Sequence, residues 1–430
     1  MFIKLFKNCF YASTILVLVL LYAPGIPPNV TFSSFVVDPA QPREGPLAKN
    51  TILNDAERMY EGYLISPESI ASRAKNELFV SLHNGNIVRV FGNDFEKTEV
   101  VANLGPGCAG PWEEHICGRP LGMRFANDKR LLIADSYLGI FALDLKTGKK
   151  ERLVDPSEAI GGLVPRLIDD LDMDANGDIY WSDASTTGVL ADGLVELVSD
   201  PSGRLIKYNS ATKKNEVLLS NLHFANGVQL SPDHQFVLVS ETFKHRVMRY
   251  WLNGPKAGSS DVFVSGLPGM PDNIRARQEG GYYISLVTAR HPDVMDGFAL
   301  TSQWPGLRKV FTRATALLQK AVNAINSYFP NHFCKVFSYK MFNLGVVSDW
   351  TYHGESIIVE VDEKGVIVGS LQGSNGVVKM VSETQQVGDY LFFGSPYTQF
   401  LGRLHISKKK AAPSKPTKQP TKTPQKKEEL

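Results

Sequence analysis

Short runs of alternating apolar and polar residues recur from about Glu61 to Ile406, each bounded by a turn rich in Asp, Asn or Gly. NELFVSLHNGNIVRVF from Asn76, KRLLIADSYLGIFALDL from Lys129 and HQFVLVSETFKHRVMRYW from His234 each read as two strands and a turn, because period-two alternation puts one set of side chains on a core face. GDIYWSD from Gly177, GRLIKYN from Gly203, GGYYISLV from Gly280, ESIIVEVDEKGVIVGSL from Glu355 and DYLFFGSPYTQFLGRLHI from Asp389 continue the series. Spacings of roughly 40 to 60 residues with few helices between them suit four-stranded sheets set around an axis. The predicted fold is all-β, a six-bladed β-propeller over residues 58–406.

The pattern breaks once, over residues 291–339, where Val310, Phe311, Ala314, Leu317, Leu318, Ala321, Val322 and Ile325 recur at helical spacing. Arg308, Lys309, Arg313 and Lys320 stand between them, so the segment reads as an amphipathic helical insertion between late blades. Packing of its apolar stripe on the propeller is the plainer expectation, with capping of the centre or contact with a membrane surface as alternatives.

No charged residue occurs between Lys7 and Asp38, and the most apolar run extends from Phe10 to Tyr22. Residues 9–26 therefore read as a transmembrane signal-anchor, although the run is short against the roughly 20 residues a spanning helix uses. Leu21 stands two before Ala23, so the small-residue pattern of a cleavage site is missing; a cleaved signal is the alternative. Lys4 and Lys7 precede the run and the next basic residue is Arg43, which places residues 1–8 as a cytoplasmic stub of a single-pass type II protein. The bulk would then be lumenal or extracellular, behind a stalk and lead-in at 27–57.

In that oxidising setting Cys108 and Cys117 read as a disulfide closing a short loop, two free thiols being the alternative. Asn29 heads the one N-glycosylation sequon, close to the anchor. The Lys- and Pro-rich segment 407–430 reads as a disordered basic tail, and its final Lys427-Glu428-Glu429-Leu430 is similar to an endoplasmic-reticulum retrieval signal. Endoplasmic reticulum and plasma membrane both remain open as destinations. Lys plus Arg number 46 against 44 Asp plus Glu, which gives no reason to expect a nucleic-acid partner.

SPESIA at Ser66, CGRPLGMRF at Cys117, FANGVQLSPD at Phe224, YWLNGPKAG at Tyr250, LPGMPDNIR at Leu267 and GDYLFFGS at Gly388 resemble, in this order, the motifs of the strictosidine-synthase-like family. The resemblance runs from the N-terminal segment to about Ile406 and implies a six-bladed propeller related to paraoxonases and regucalcin-like lactonases, many of which hold calcium at the axis. It implies calcium ligands at Glu68, Asp169, Asn226, Asp272 and Asn273, with Asp169 standing where Asn is more usual. Side-chain oxygens are what Ca2+ takes, although Asx-Gly and Pro-Asp-Asn are also ordinary turn sequences.

The synthase glutamate position falls on Ser382, with Glu383 facing the other way if the segment is a strand, so alkaloid condensation is disfavoured. The paraoxonase histidine position carries Leu121. What the resemblance implies is then a calcium-dependent hydrolase of arylesterase or lactonase type, acting on a small ester or lactone. Asp272 or Asp170 is the candidate base, and His223 the candidate imidazole ahead of His115. For His223 a structural role is the plainer reading. The rival expectation is a non-catalytic, calcium-stabilised propeller that binds a partner protein.

Overall fold

The computed structural model describes residues 2–28, 30–290, 297–344, 346 and 352–409. Asn29, the retrieval-like C-terminus and the first residues of the insertion, 291–296, lie outside them. Six four-stranded antiparallel sheets are present among the described residues. Their first strands are Ile70–Ala74, Pro120–Asn127, Ile168–Met173, Ala225–Leu230, Gly269–Ala276 and Glu383–Val387. Each of these lies against the next, and the last against the first, which is the arrangement of a β-propeller. The ring is tied by Glu57–Met59, which supplies the outer strand to the final sheet through the pairs Glu57↔Arg403 and Met59↔Leu401.

Hydrophobic residues alternate onto the faces between neighbouring sheets. Leu132, Ala134 and Ile140 pack with Ile168, Ile179, Trp181 and Ile206 of the following sheet, and Trp181 is fully buried. At about 25 cal/mol per Å2 of apolar surface removed from water, these seams are the main favourable term in the fold.

The helical insertion differs in position from the expectation. It does not fall between blades: it interrupts one sheet between Tyr282–Ala289 and Ser356–Val361, which nevertheless pair directly, Tyr282 opposite Val361 and Leu286 opposite Ile357. A hairpin tolerates so long a connection because the entropy of closing a loop grows only logarithmically with its length. Its main helices are Pro305–Tyr328 and His332–Phe342.

At the N-terminus a single helix of 21 residues, Phe2–Tyr22, begins earlier than the apolar run and includes Lys4 and Lys7. At 1.5 Å per residue it is about 32 Å long, near the thickness of a bilayer's hydrocarbon core.

Candidate functional site

The first strands build the centre, and they do so through irregularities. Register shifts interrupt the pairing between Ile168 and Leu171, between Ala225 and Val228, and between Pro271 and Ile274. Each bulge contains singled-out residues: Asp169 and Asp170 in the first, Asn226 in the second, Asp272 and Asn273 in the third. A bulge re-aims side chains, so one residue of a pair can face the axial cavity while its neighbour turns elsewhere. Glycine lets these strands approach one another. A Cβ at Gly227 would stand 2.5 Å from the Asp272 carbonyl oxygen, and one at Gly122 would stand 2.6 Å from the Asp170 Cα.

Glu68, Asp169, Asn226 and Asp272 line one axial cavity together with Glu114, Arg119 and an apolar wall that includes Leu121, Phe224, Phe243 and Met270. Four buried carboxyls thus face one buried guanidinium. Burial raises the pKa of Asp169 and Asp272 well above the ordinary carboxylate value, and the neighbouring carboxylates, Glu68 first among them, raise it further. Glu68 is pushed up to about 7 by burial, against the opposing pull of Arg119, whose Nη2 donates to its Oε2 at 3.1 Å.

The Oδ1 atoms of Asn226 and Asn273 are buried without a hydrogen-bond donor. Surplus buried negative charge and orphaned amide oxygens fit a hard divalent cation in donor type and in charge. Among the described residues, however, no three His, Cys, Asp or Glu side chains are drawn together as a formed metal-ligating cluster.

Asp170 and Asn273 belong to a floor beneath the cavity. Arg275 donates from Nη1 to Asp170 Oδ2 at 2.8 Å and also pairs with Glu383, while Asn273 Nδ2 donates to Glu383 Oε2 at 3.1 Å. Asp170 Oδ2 accepts from the Val228 backbone at 2.8 Å as well, so its carboxylate is committed to joining the inner strands. Ser382 hydroxyl donates to the Glu68 carbonyl at 3.0 Å.

His223 does not line the cavity. It is buried against Phe35, ring centres 4.2 Å apart, and its Nδ1 stands 3.5 Å from Glu241 Oε1, at the outer limit of a hydrogen bond. Burial lowers its pKa, against the opposing pull of Glu241. His115 lines a separate outer groove with Trp112, Lys335 and Gln319.

Several cavity residues were not visible in the sequence pattern. Tyr339, Asn343 and Leu344 come from the insertion, which therefore caps the centre. The cap is pinned by the loop closed by the Cys108–Cys117 disulfide: Asn343 Nδ2 donates to Glu114 Oε1 at 2.8 Å, and Lys335 pairs with Glu113 at 2.7 Å. Arg119 stands inside the CGRPLGMRF motif, and Glu114 inside the disulfide loop, but periodicity does not show which way an irregular loop turns its charges.

The profile of the strictosidine synthase family matches residues 169–255, and that of the strictosidine synthase-like N-terminal region matches residues 45–90. Adipocyte plasma membrane-associated protein Hemomucin of Drosophila melanogaster is 36% identical over 400 residues, covering 91% of this chain and 68% of its own. Adipocyte plasma membrane-associated protein of Salmo salar is 33% identical over 366 residues, 84% of this chain and 80% of its own. Among solved structures, a gluconolactonase of Xanthomonas campestris superposes with a TM-score of 0.50 at 16% identity, over 89% of this chain and 99% of the other, a likeness of fold.

Proposed function

Because the chain belongs to the strictosidine-synthase-like family, in the branch of the adipocyte plasma membrane-associated proteins, we propose that it is a membrane-anchored, calcium-dependent hydrolase of small esters or lactones. In this reading the fold is a six-bladed propeller, the helix Phe2–Tyr22 crosses the bilayer once as a type II anchor, and the propeller lies on the lumenal or extracellular side. The observation that carries the proposal is that Glu68, just ahead of the strand Ile70–Ala74, and Asp169 and Asp272, from two other sheets, line one cavity as buried carboxyls beside the undonated Asn226 oxygen.

Glu68, Asp169, Asn226 and Asp272 would hold the cation, with the Asn273 Oδ1 in reserve at the floor. Bound calcium supplies a Lewis acid that polarises the carbonyl of the ester. The apolar wall around Phe224, Phe243 and Met270 takes the hydrocarbon part of the substrate and excludes bulk water. Of the candidate bases, Asp272 is the one that lines the cavity, where its carboxylate can accept a proton from water. Water oxygen adds to the acyl carbon, its proton passes to the Asp272 carboxylate, the acyl C–O bond breaks, and that proton leaves with the alcohol.

A second reading, a calcium-stabilised propeller that binds a partner protein without catalysis, is favoured by one observation: no histidine lines the cavity among the described residues. Hydrolysis of an aryl ester and a γ-lactone by the full chain, with calcium titrated back after chelation, separates the two. Turnover that returns with calcium and disappears in Asp272→Asn supports the hydrolase. Calcium-dependent stability without turnover of either compound supports the binding propeller.

A further inference from the structure

The long helix of the insertion is inside out. Its buried face is polar or small, made of Arg308, Thr312, Thr315, Ala316 and Gln319. It docks through hydrogen bonds: Arg308 pairs with Asp200 at 3.0 Å, and Gln319 Nε2 donates to the Ala191 carbonyl at 3.0 Å. The apolar stripe faces outward instead, with Leu307, Phe311, Leu318 and Ile325 each about half exposed. Trp304, Tyr328, Phe329 and Phe333 extend it at the ends, exposed by 63%, 80%, 74% and 75%. Soluble surfaces rarely carry so much contiguous apolar area without an occupant.

The occupant is indicated by where the helix sits. Arg313 Nη1 donates to the carbonyls of Leu20 at 2.8 Å, in the last turn of the N-terminal helix, and of Ala23 at 3.2 Å, just past its end. A residue bonded to the end of a spanning helix stands at the level of the lipid headgroups. Lys309 and Lys320 lie beside Arg313 on one flank of the stripe, and aromatic side chains gather at its ends, the composition of a helix lying in a bilayer interface.

We propose that the apolar face of Pro305–Tyr328, continued by Phe329 and Phe333, seats in the outer leaflet of the same membrane that the N-terminal helix crosses. The insertion is thereby a second attachment, and it holds the cap over the cavity against the lipid surface. The inference rests on the reading of Phe2–Tyr22 as a spanning helix.

The test is nitroxide accessibility in the full chain, reconstituted in phosphatidylcholine–phosphatidylserine nanodiscs, with Cys9→Ser and Cys334→Ser removing the free thiols. Labels are placed singly by Leu318→Cys, Val17→Cys in the N-terminal helix, and Lys146→Cys on an exposed turn of the propeller. Seating predicts that the labels at positions 318 and 17 collide more with oxygen than with a water-soluble nickel chelate, and that the label at 146 shows the reverse. Preference for nickel at 318 with preference for oxygen at 17 overturns the seating and leaves the anchor standing. Nickel preference at both overturns the anchor and the seating together. Low access to both reagents at 318 means that protein covers the face, and also overturns the proposal.

Discussion

Replacing Glu68 by Gln should stabilise the calcium-free protein and weaken its response to calcium. Burial raises Glu68 from 4.5 to about 7. The folded state therefore binds more protons than the unfolded one between those values, and the stability contributed by the protonated carboxyl is full below about pH 4.5 and lost as pH rises through about 7. Gln mimics the protonated carboxyl and can still accept a hydrogen bond from Arg119, so it escapes the loss. At ~1.4 kcal/mol per unit of pKa the difference above pH 7 is about 3 kcal/mol, roughly 4 °C in melting temperature for a folded unit of this size.

The assay is differential scanning calorimetry of both proteins in chelator at pH 5 and at pH 8. Taking the difference between them cancels the titrating groups that Glu68 does not influence, while Asp169 and Asp272, which Glu68 raises, are relieved in the same direction by the substitution. The variant should melt only slightly above the wild type at pH 5 and well above it at pH 8. Saturating calcium should reverse the order, because a ligand bound only by the folded state adds stability in proportion to the logarithm of its affinity. A variant that melts below the wild type at pH 8 in chelator would refute the claim that Glu68 is held against its own desolvation.

Arg275→Met takes from the buried Asp170 and Glu383 their closest cation, leaving only Arg124 at 3.7 Å from Asp170, and chemical denaturation should show a loss of about 3 kcal/mol. Removing the disulfide by Cys108→Ser with Cys117→Ser should cost about 2–3 kcal/mol in the same assay. It should also make limited proteolysis cut sooner near His332–Phe342, since Glu113 and Glu114 of that loop pin the helix. Calcium affinity should climb between pH 5 and pH 8 with release of protons, because Glu68, Asp169 and Asp272 all carry raised pKa values. Titration calorimetry in buffers of different ionisation enthalpy measures that release, and a pH-independent affinity would remove these carboxyls from the site.

The strands were legible because alternation is a local property: Glu77–Ser81 and Arg130–Asp135 pair with the segments that directly follow them. The insertion was not placed correctly, because the partner of Tyr282–Ala289 lies on the far side of two long helices, and such pairing is decided by the sheet as a whole. For Pro305–Tyr328 the spacing revealed an apolar stripe but not the side it faces. The protein takes hold of the opposite face, through Arg308 and Gln319.

At the centre, the motifs led to Glu68, Asp169, Asn226 and Asp272, which line one cavity, the last three brought there by bulges and Glu68 by the segment ahead of Ile70–Ala74. Asp170, one position along, points into the ion-paired floor, a difference set by the register shift between Ile168 and Leu171. Arg119 and Glu114, which set the charge balance of the cavity, sit in irregular segments where periodicity carries no information.

The most direct measurement is a crystal structure of the full chain grown with calcium and refined with anomalous data. A peak within about 2.3–2.6 Å of side-chain oxygens of Glu68, Asp169, Asn226 and Asp272 is the predicted result. A calcium-saturated protein with no peak in this cavity, or with calcium only on other residues, would contradict the account.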